Sequence, residues 1–136
     1  MLQHAIYAVR PFVMLKHDLR LPHLAAFVGD LSHILGNPHS ALPCVGASGG
    51  ISGVVTYYAL RFPRARLGFL FPYWLYFRWI HLPAGAYLLL WFLMQLLFVV
   101  QQQAGVSNIA ARAHLGGAAV GVAAWILWRA RYPQEA

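Results

Sequence analysis

The chain has 136 residues, 60% of them hydrophobic and 10% charged, with a formal net charge of +7. That balance is too apolar for a water-compatible surface around a soluble core, so the lipid bilayer is the expected surrounding. Lys and Arg stand at the edges of apolar runs and form no basic stripe interleaved with aromatics, which excludes nucleic acid as a partner. The single cysteine, Cys44, excludes a disulfide framework and a thiolate metal site, and no metal or cofactor is expected.

In chain order, residues 1–20 are an unassigned N-terminal segment. Met1 to Lys16 is basic and mildly apolar but lacks a long apolar core followed by a small-residue cleavage site, so no signal peptide is expected. Residues 21–36 are apolar but short and carry His23, Asp30 and His33, which suits a weak helix or a partial crossing with a polar patch facing a neighbour or a cavity. Asn37-Pro38-His39-Ser40 has the composition of a turn. Residues 43–60 carry no charge and are followed by Arg61, Arg64 and Arg66, the pattern of a spanning helix with a basic end.

Residues 67–82 are crowded with aromatics and interrupted by Pro72 and Arg78. They read as an interfacial loop whose aromatic belt at 69–79 anchors the headgroup region. Residues 82–100, with Gln95 as the one strongly polar interruption, form the least ambiguous spanning helix. Gln101 to Asn108 reads as a polar turn, residues 109–128 as a small-residue-rich helix closed by Arg129 and Arg131, and 131–136 as a cytoplasmic tail. The expected fold is an all-α integral membrane bundle, a single domain over 21–130 with three clear transmembrane helices and one weak N-terminal helix.

The two arginine clusters belong on the cytoplasmic side by the positive-inside rule, so the helices at 43–60 and 109–128 run inward and the one at 82–100 outward. Ser48 lies 13 residues before Arg61 and His114 lies 15 before Arg129. At ~1.5 Å per residue, both side chains stand about 20 Å above the cytoplasmic boundary, toward the outer side.

A serine hydroxyl is a weak nucleophile until a base within hydrogen-bond reach takes its proton, and neutral histidine suits that task near neutral pH. Gly49 and Gly53 on one helix, and Gly117 and Gly121 on the other, present flat faces that allow close backbone approach. Gly46 leaves the local backbone free to aim an N–H at a developing oxyanion. Serine and glycine in apolar helices commonly serve packing alone, whereas an intramembrane histidine is costly unless it has a partner or a cavity. The conjunction at matched depth is what points to peptide-bond hydrolysis inside a membrane.

Gly46-Ala47-Ser48-Gly49-Gly50-Ile51-Ser52-Gly53 resembles the nucleophile helix of rhomboid intramembrane serine proteases, and Ala113-His114-x-x-Gly117-x-x-x-Gly121 resembles their histidine helix. Both motifs stand in the family's order, separated by one long apolar helix. Over residues 21–130 the resemblance implies the fourth, fifth and sixth helices of the rhomboid core, with a remnant of the third at 21–36. It implies Ser48 as nucleophile and His114 as general base in a dyad without an acid, with Gly46 and Gly49 supporting the oxyanion. The substrates would be transmembrane proteins cleaved near their outer ends, in a membrane such as the bacterial inner (plasma) membrane with the active site toward the outside.

The chain departs from the family at three points. Its front half, including the first two helices and the loop joining them, is not represented. His33-x-x-x-Asn37 mimics the spacing of the family's oxyanion pair, but only ten residues separate Asn37 from Ser48, where relatives interpose a whole helix, and Pro38 follows directly. His33 and Asn37 are therefore lesser oxyanion candidates. The aromatic that relatives often carry four residues after the serine is here Ser52. Arg112 is expected to snorkel to headgroups and Cys44 to be a spectator. The alternative to a protease is a truncated or non-catalytic rhomboid-like protein that binds transmembrane helices without cleaving them. A small membrane scaffold or transporter subunit is a third class, favoured only if Ser48 and His114 stand apart.

Overall fold

The computed structural model describes residues 20–36, 38, 46–73 and 76–133. Asn37 and Cys44, most of the expected turn at 37–40, the N-terminal segment through residue 19 and the last three residues lie outside the described residues. Among the described residues six elements follow one another: helix α1 (Arg20–Gly36), helix α2 (Ala47–Arg61), strands β1 (Arg66–Tyr73) and β2 (Tyr76–Pro83), helix α3 (Ala84–Gln103) and helix α4 (Ala111–Arg131).

Each helix boundary has a local cause. Pro22 stands in the first turn of α1, where its missing N–H has no intrahelical acceptor to lose. The α3 helix runs beyond the expected polar turn to Gln103 and stops because Gly105 takes a left-handed φ of 70°. The Val106 N–H bonds the Gln101 carbonyl at 2.9 Å and the Gly105 N–H bonds the Gln102 carbonyl at 3.1 Å, the paired bonds of a Schellman stop.

The aromatic segment after α2 corrects the expectation of an irregular interfacial loop in a purely helical fold. It is an antiparallel hairpin in register from Arg66 opposite Pro83 to Tyr73 opposite Tyr76. Aromatic residues favour extended backbone, and Pro72 is tolerated because both strands of a two-stranded ribbon are edges. The Ala84 and Gly85 N–H groups bond the Ala65 and Pro63 carbonyls at 2.8 and 2.9 Å, so the hairpin returns the chain to where it left α2 and starts α3 there.

Helices α1, α2 and α4 pack mutually, and α3 leans on α2 and α4. The buried apolar side chains among the described residues are alanines: Ala25, Ala59, Ala84, Ala111, Ala113 and Ala118, and no large side chain is fully buried. Glycines 29, 49, 50, 53, 116, 117 and 121 share that interior. The large apolar residues face outward, among them Phe27, Leu35, Leu89, Phe92, Leu97 and Leu127. Small residues inside and large apolar residues outside invert the pattern of a water-soluble core and match helices that associate by close packing in lipid. Among the described residues, α3 is the helix long and apolar enough to cross a membrane by length and composition.

The glycine contacts give the helix directions. Gly29 of α1 meets Gly49 of α2 and Ala113 of α4; Gly53 meets Ala25 of α1 and Gly117 of α4; Gly121 meets Gly53 and Thr56. Rising numbers on α2 and α4 pair together while those on α1 fall, so α2 and α4 are parallel and α1 opposes both. At the far end the Arg61 guanidinium lies 3.5 Å from the centroid of the Trp128 ring, a cation–π contact joining the last turns of α2 and α4. The two arginine-bearing ends therefore share one end of the bundle.

Candidate functional site

Ser48 is the second residue of α2 and half-buried. Its carbonyl accepts a 2.8 Å bond from the Ser52 hydroxyl one turn later. That bond is local to the helix and occupies the hydroxyl at the position where relatives often carry an aromatic. The Ser48 N–H lies in the first turn of α2, at the positive end of the helix dipole, which favours negative charge.

Gly46 precedes the helix with an ordinary right-handed conformation, φ −56° and ψ −18°. Any residue can adopt that backbone, so the glycine's value here is space. A Cβ at position 46 would meet the Asp30 carboxylate, its Cγ at 3.2 Å. The fold thus brings an acid from α1 to the start of the nucleophile-motif helix, although no acid lies in either motif.

His114 is the fourth residue of α4 and half-buried. Its Nδ1 lies 2.9 Å from the Gln95 Oε1 of α3. The Trp91 ring, one turn before Gln95, has its centroid 6.4 Å from that of the imidazole at an interplanar angle of 39°. Neither neighbour was singled out from the sequence as part of a site. The available signal was Gln95 itself, since a strongly polar side chain within an apolar spanning run is costly unless it has a partner.

The glycines explain how these segments come together. A Cβ at Gly49 would lie 3.3 Å from the Ala113 carbonyl oxygen, and one at Gly29 would lie 2.7 Å from the same oxygen. A Cβ at Gly117 would overlap the Gly49 carbonyl. The backbones of α2 and α4 are therefore in contact at Gly49, Ala113 and Gly117, positions that neighbour Ser48 and His114 in the chain. With α2 and α4 parallel and paired at 49/113 and 53/117, Ser48 and His114 share a level to within about one helical turn.

Arg112 reaches the end of α1. Its Nη1–H donates to the Gly36 carbonyl at the end of α1, and its side chain lies along that glycine. A cation at a helix C-terminus satisfies an orphan carbonyl and complements the helix dipole. Arg112→Met keeps the stem and removes the charge. It should cost about 1 kcal/mol of stability, read as an earlier midpoint in detergent-denaturant unfolding. An unchanged midpoint would show that this contact does not help hold α1 to α4.

His33 is 3% exposed, and neither ring nitrogen has a hydrogen-bond partner among the described residues. It continues the buried stripe Ala25, Gly29, His33 that faces the Gly49–Ala113 contact, one turn further from the arginine-bearing end of the bundle. Asn37, the other half of the proposed pair, lies outside the described residues.

A family model described as "Rhomboid domain" matches residues 19–131. No curated protein and no solved structure matches the chain.

Proposed function

The chain belongs to the rhomboid family, and from that premise we propose that it is an intramembrane serine endopeptidase acting through Ser48 and His114. The observation that supports this reading most is the backbone contact of α2 and α4 at Gly49, Ala113 and Gly117. It holds the two helices parallel and touching beside both residues, and close approach is what two short side chains need in order to meet.

As an integral membrane protein, the chain would cross the bilayer with α2, α3 and α4, the arginine-bearing ends of α2 and α4 in the cytoplasm. The α2 helix has 15 residues, about 22 Å at 1.5 Å per residue against a hydrocarbon core of about 30 Å. With Arg61 at the inner boundary, the start of α2 and Ser48 fall inside the membrane's depth on the outer side. The bacterial inner membrane suits such an arrangement.

The chemistry would run in two steps. His114 Nε2 takes the Ser48 proton as Oγ attacks the scissile carbonyl of a transmembrane substrate. The tetrahedral oxyanion is met by the backbone donors of the first turn of α2, the Ser48 N–H foremost, where the Gly46 and Gly49 positions carry no side chain to obstruct it. The imidazolium returns the proton to the leaving amine, and water, activated by the same nitrogen, releases the acyl group from Ser48. His33 and Asn37 are lesser candidates for a further oxyanion donor.

The rival is a rhomboid-like protein that binds transmembrane helices without cutting them. It draws on the four helices among the described residues, against six in the rhomboid core. The test is cleavage of a model transmembrane substrate in proteoliposomes by the parent and by Ser48→Ala. Ser48-dependent cleavage supports the protease, and binding of the substrate helix without cleavage by either protein supports the rival.

A further inference from the structure

We propose that Gln95 is the positioning residue for His114, fixing which imidazole nitrogen serves as the base, with Trp91 bracing the ring; this rests on the protease reading above.

The α3 helix is an unusual place to find a buried amide. Its buried residues are Ala84, at its start, and Gln95. The residues around Gln95, namely Phe92, Leu93, Met94, Leu96 and Leu97, are all exposed, while Gln95 is 3% exposed. Gln95 therefore turns inward as its neighbours turn outward. Burying an amide in apolar surroundings costs roughly 1–3 kcal/mol unless it is hydrogen-bonded, and the partner it meets is His114.

On this proposal the tautomer follows from the amide oxygen that faces the ring: an amide oxygen can only accept, so with Gln95 Oε1 2.9 Å from Nδ1 the imidazole proton belongs on Nδ1. The lone pair is left on Nε2, the nitrogen that must take the Ser48 proton. A buried carboxylate plays this role in serine hydrolases of other folds. Here a neutral amide does so without burying a net charge, which suits a site inside a bilayer. As the imidazolium forms, the same oxygen remains an acceptor for Nδ1–H.

Trp91 and Gln95 are four apart and share one face of α3. The Trp91 centroid distance of 6.4 Å falls in the range of favourable aromatic pairs. Ser52 stands where an aromatic often follows the serine, and its hydroxyl bonds within its own helix. The ring contact is supplied from α3 instead. Beside it, an apolar cleft of about 600 Å³, lined by Thr56, Leu88, Trp91, Leu115 and Ala118 among others, separates much of α3 from α2 and α4. The Gln95–His114 bond bridges the two sides.

The test uses the full chain in detergent, labelled with ¹⁵N at histidine and held at a pH where imidazole is neutral. His114 is assigned by the signal lost in His114→Gln. The parent should show His114 with Nδ1 protonated and Nε2 bare. Gln95→Met, which keeps the length but offers no amide, should give a mixed or reversed tautomer. It should also lower the rate of Ser48 phosphonylation, and kcat on a transmembrane substrate, by about 10- to 100-fold with KM unchanged. Gln95→Glu, which keeps acceptor oxygens, should restore both the tautomer and most of the rate.

An Nε2–H tautomer in the parent would overturn the proposal, because the amide would then be donating to Nδ1. So would a Gln95→Met protein whose His114 spectrum matches the parent. The parent spectrum decides even if a variant fails to fold. If no protein shows Ser48-dependent labelling, the protease reading fails while the tautomer still reports on Gln95.

Discussion

Ser48→Ala and His114→Ala should each abolish labelling by a fluorophosphonate probe and cleavage of a transmembrane substrate, with a loss on the order of 10⁴-fold or more in rate. Alanine at 48 removes the nucleophilic oxygen, and alanine at 114 leaves the hydroxyl with no base to take its proton. The double variant should be no worse than either single one, because the two residues act as one unit. Ser48→Ala should unfold at close to the parent's midpoint, since that position is not fully buried and its side chain does not fill the glycine seam. His114→Ala, by contrast, leaves the buried Gln95 amide without its partner and should unfold earlier, by roughly 1–3 kcal/mol. Labelling that survives in Ser48→Ala would remove Ser48 from the nucleophile's role. Labelling and cleavage that survive in His114→Ala would show that Ser48 draws its base from elsewhere, His33 being the first candidate to examine because its buried ring nitrogens have no partner among the described residues.

The helices were legible in the sequence because uncharged runs between arginines leave few other options. The parallel course of α2 and α4 was legible in the placement of Arg61, Arg64, Arg66, Arg129 and Arg131, and the contact of Arg61 with Trp128 sets two of those basic ends together. The hairpin was not legible for a physical reason: the aromatic residues that favour a membrane interface are also those that favour extended strands, and Pro72 and Arg78 broke the alternation that separates the two. Gln95 and Asp30 were visible as polar residues in apolar runs, but what they face comes from elsewhere in the chain, His114 of α4 for Gln95 and the start of α2 at Gly46 for Asp30. Sequence spacing can place two residues on one face of one helix. It cannot choose which helix faces which, and here that choice puts an amide rather than an acid on His114. Arg112 shows the same limit. A cation near an expected interface shows nothing in the sequence of the carbonyl it meets at the end of α1.

Gly117→Leu should leave α3 inserted in the membrane and the chain membrane-bound, yet abolish both labelling and cleavage. The reason is the seam itself. A Cβ at 117 already overlaps the Gly49 carbonyl, its Cα lies 3.0 Å away, and those atoms are backbone that cannot rotate aside. Leucine would therefore force α2 and α4 apart. Overpacking a yielding site costs about 1–3 kcal/mol, and this site yields less, so the loss should lie at or above the top of that range. Activity should suffer more than stability, because a displacement of about 1 Å at a reacting pair can cost 10²-fold, and the helices would have to part by more than that. Ala123→Leu is the control, a similar addition to an exposed position of the same helix. It should leave insertion, unfolding midpoint and labelling near parental values. If Gly117→Leu labelled and cleaved as well as Ala123→Leu, close approach of α2 and α4 would not be what brings Ser48 and His114 together.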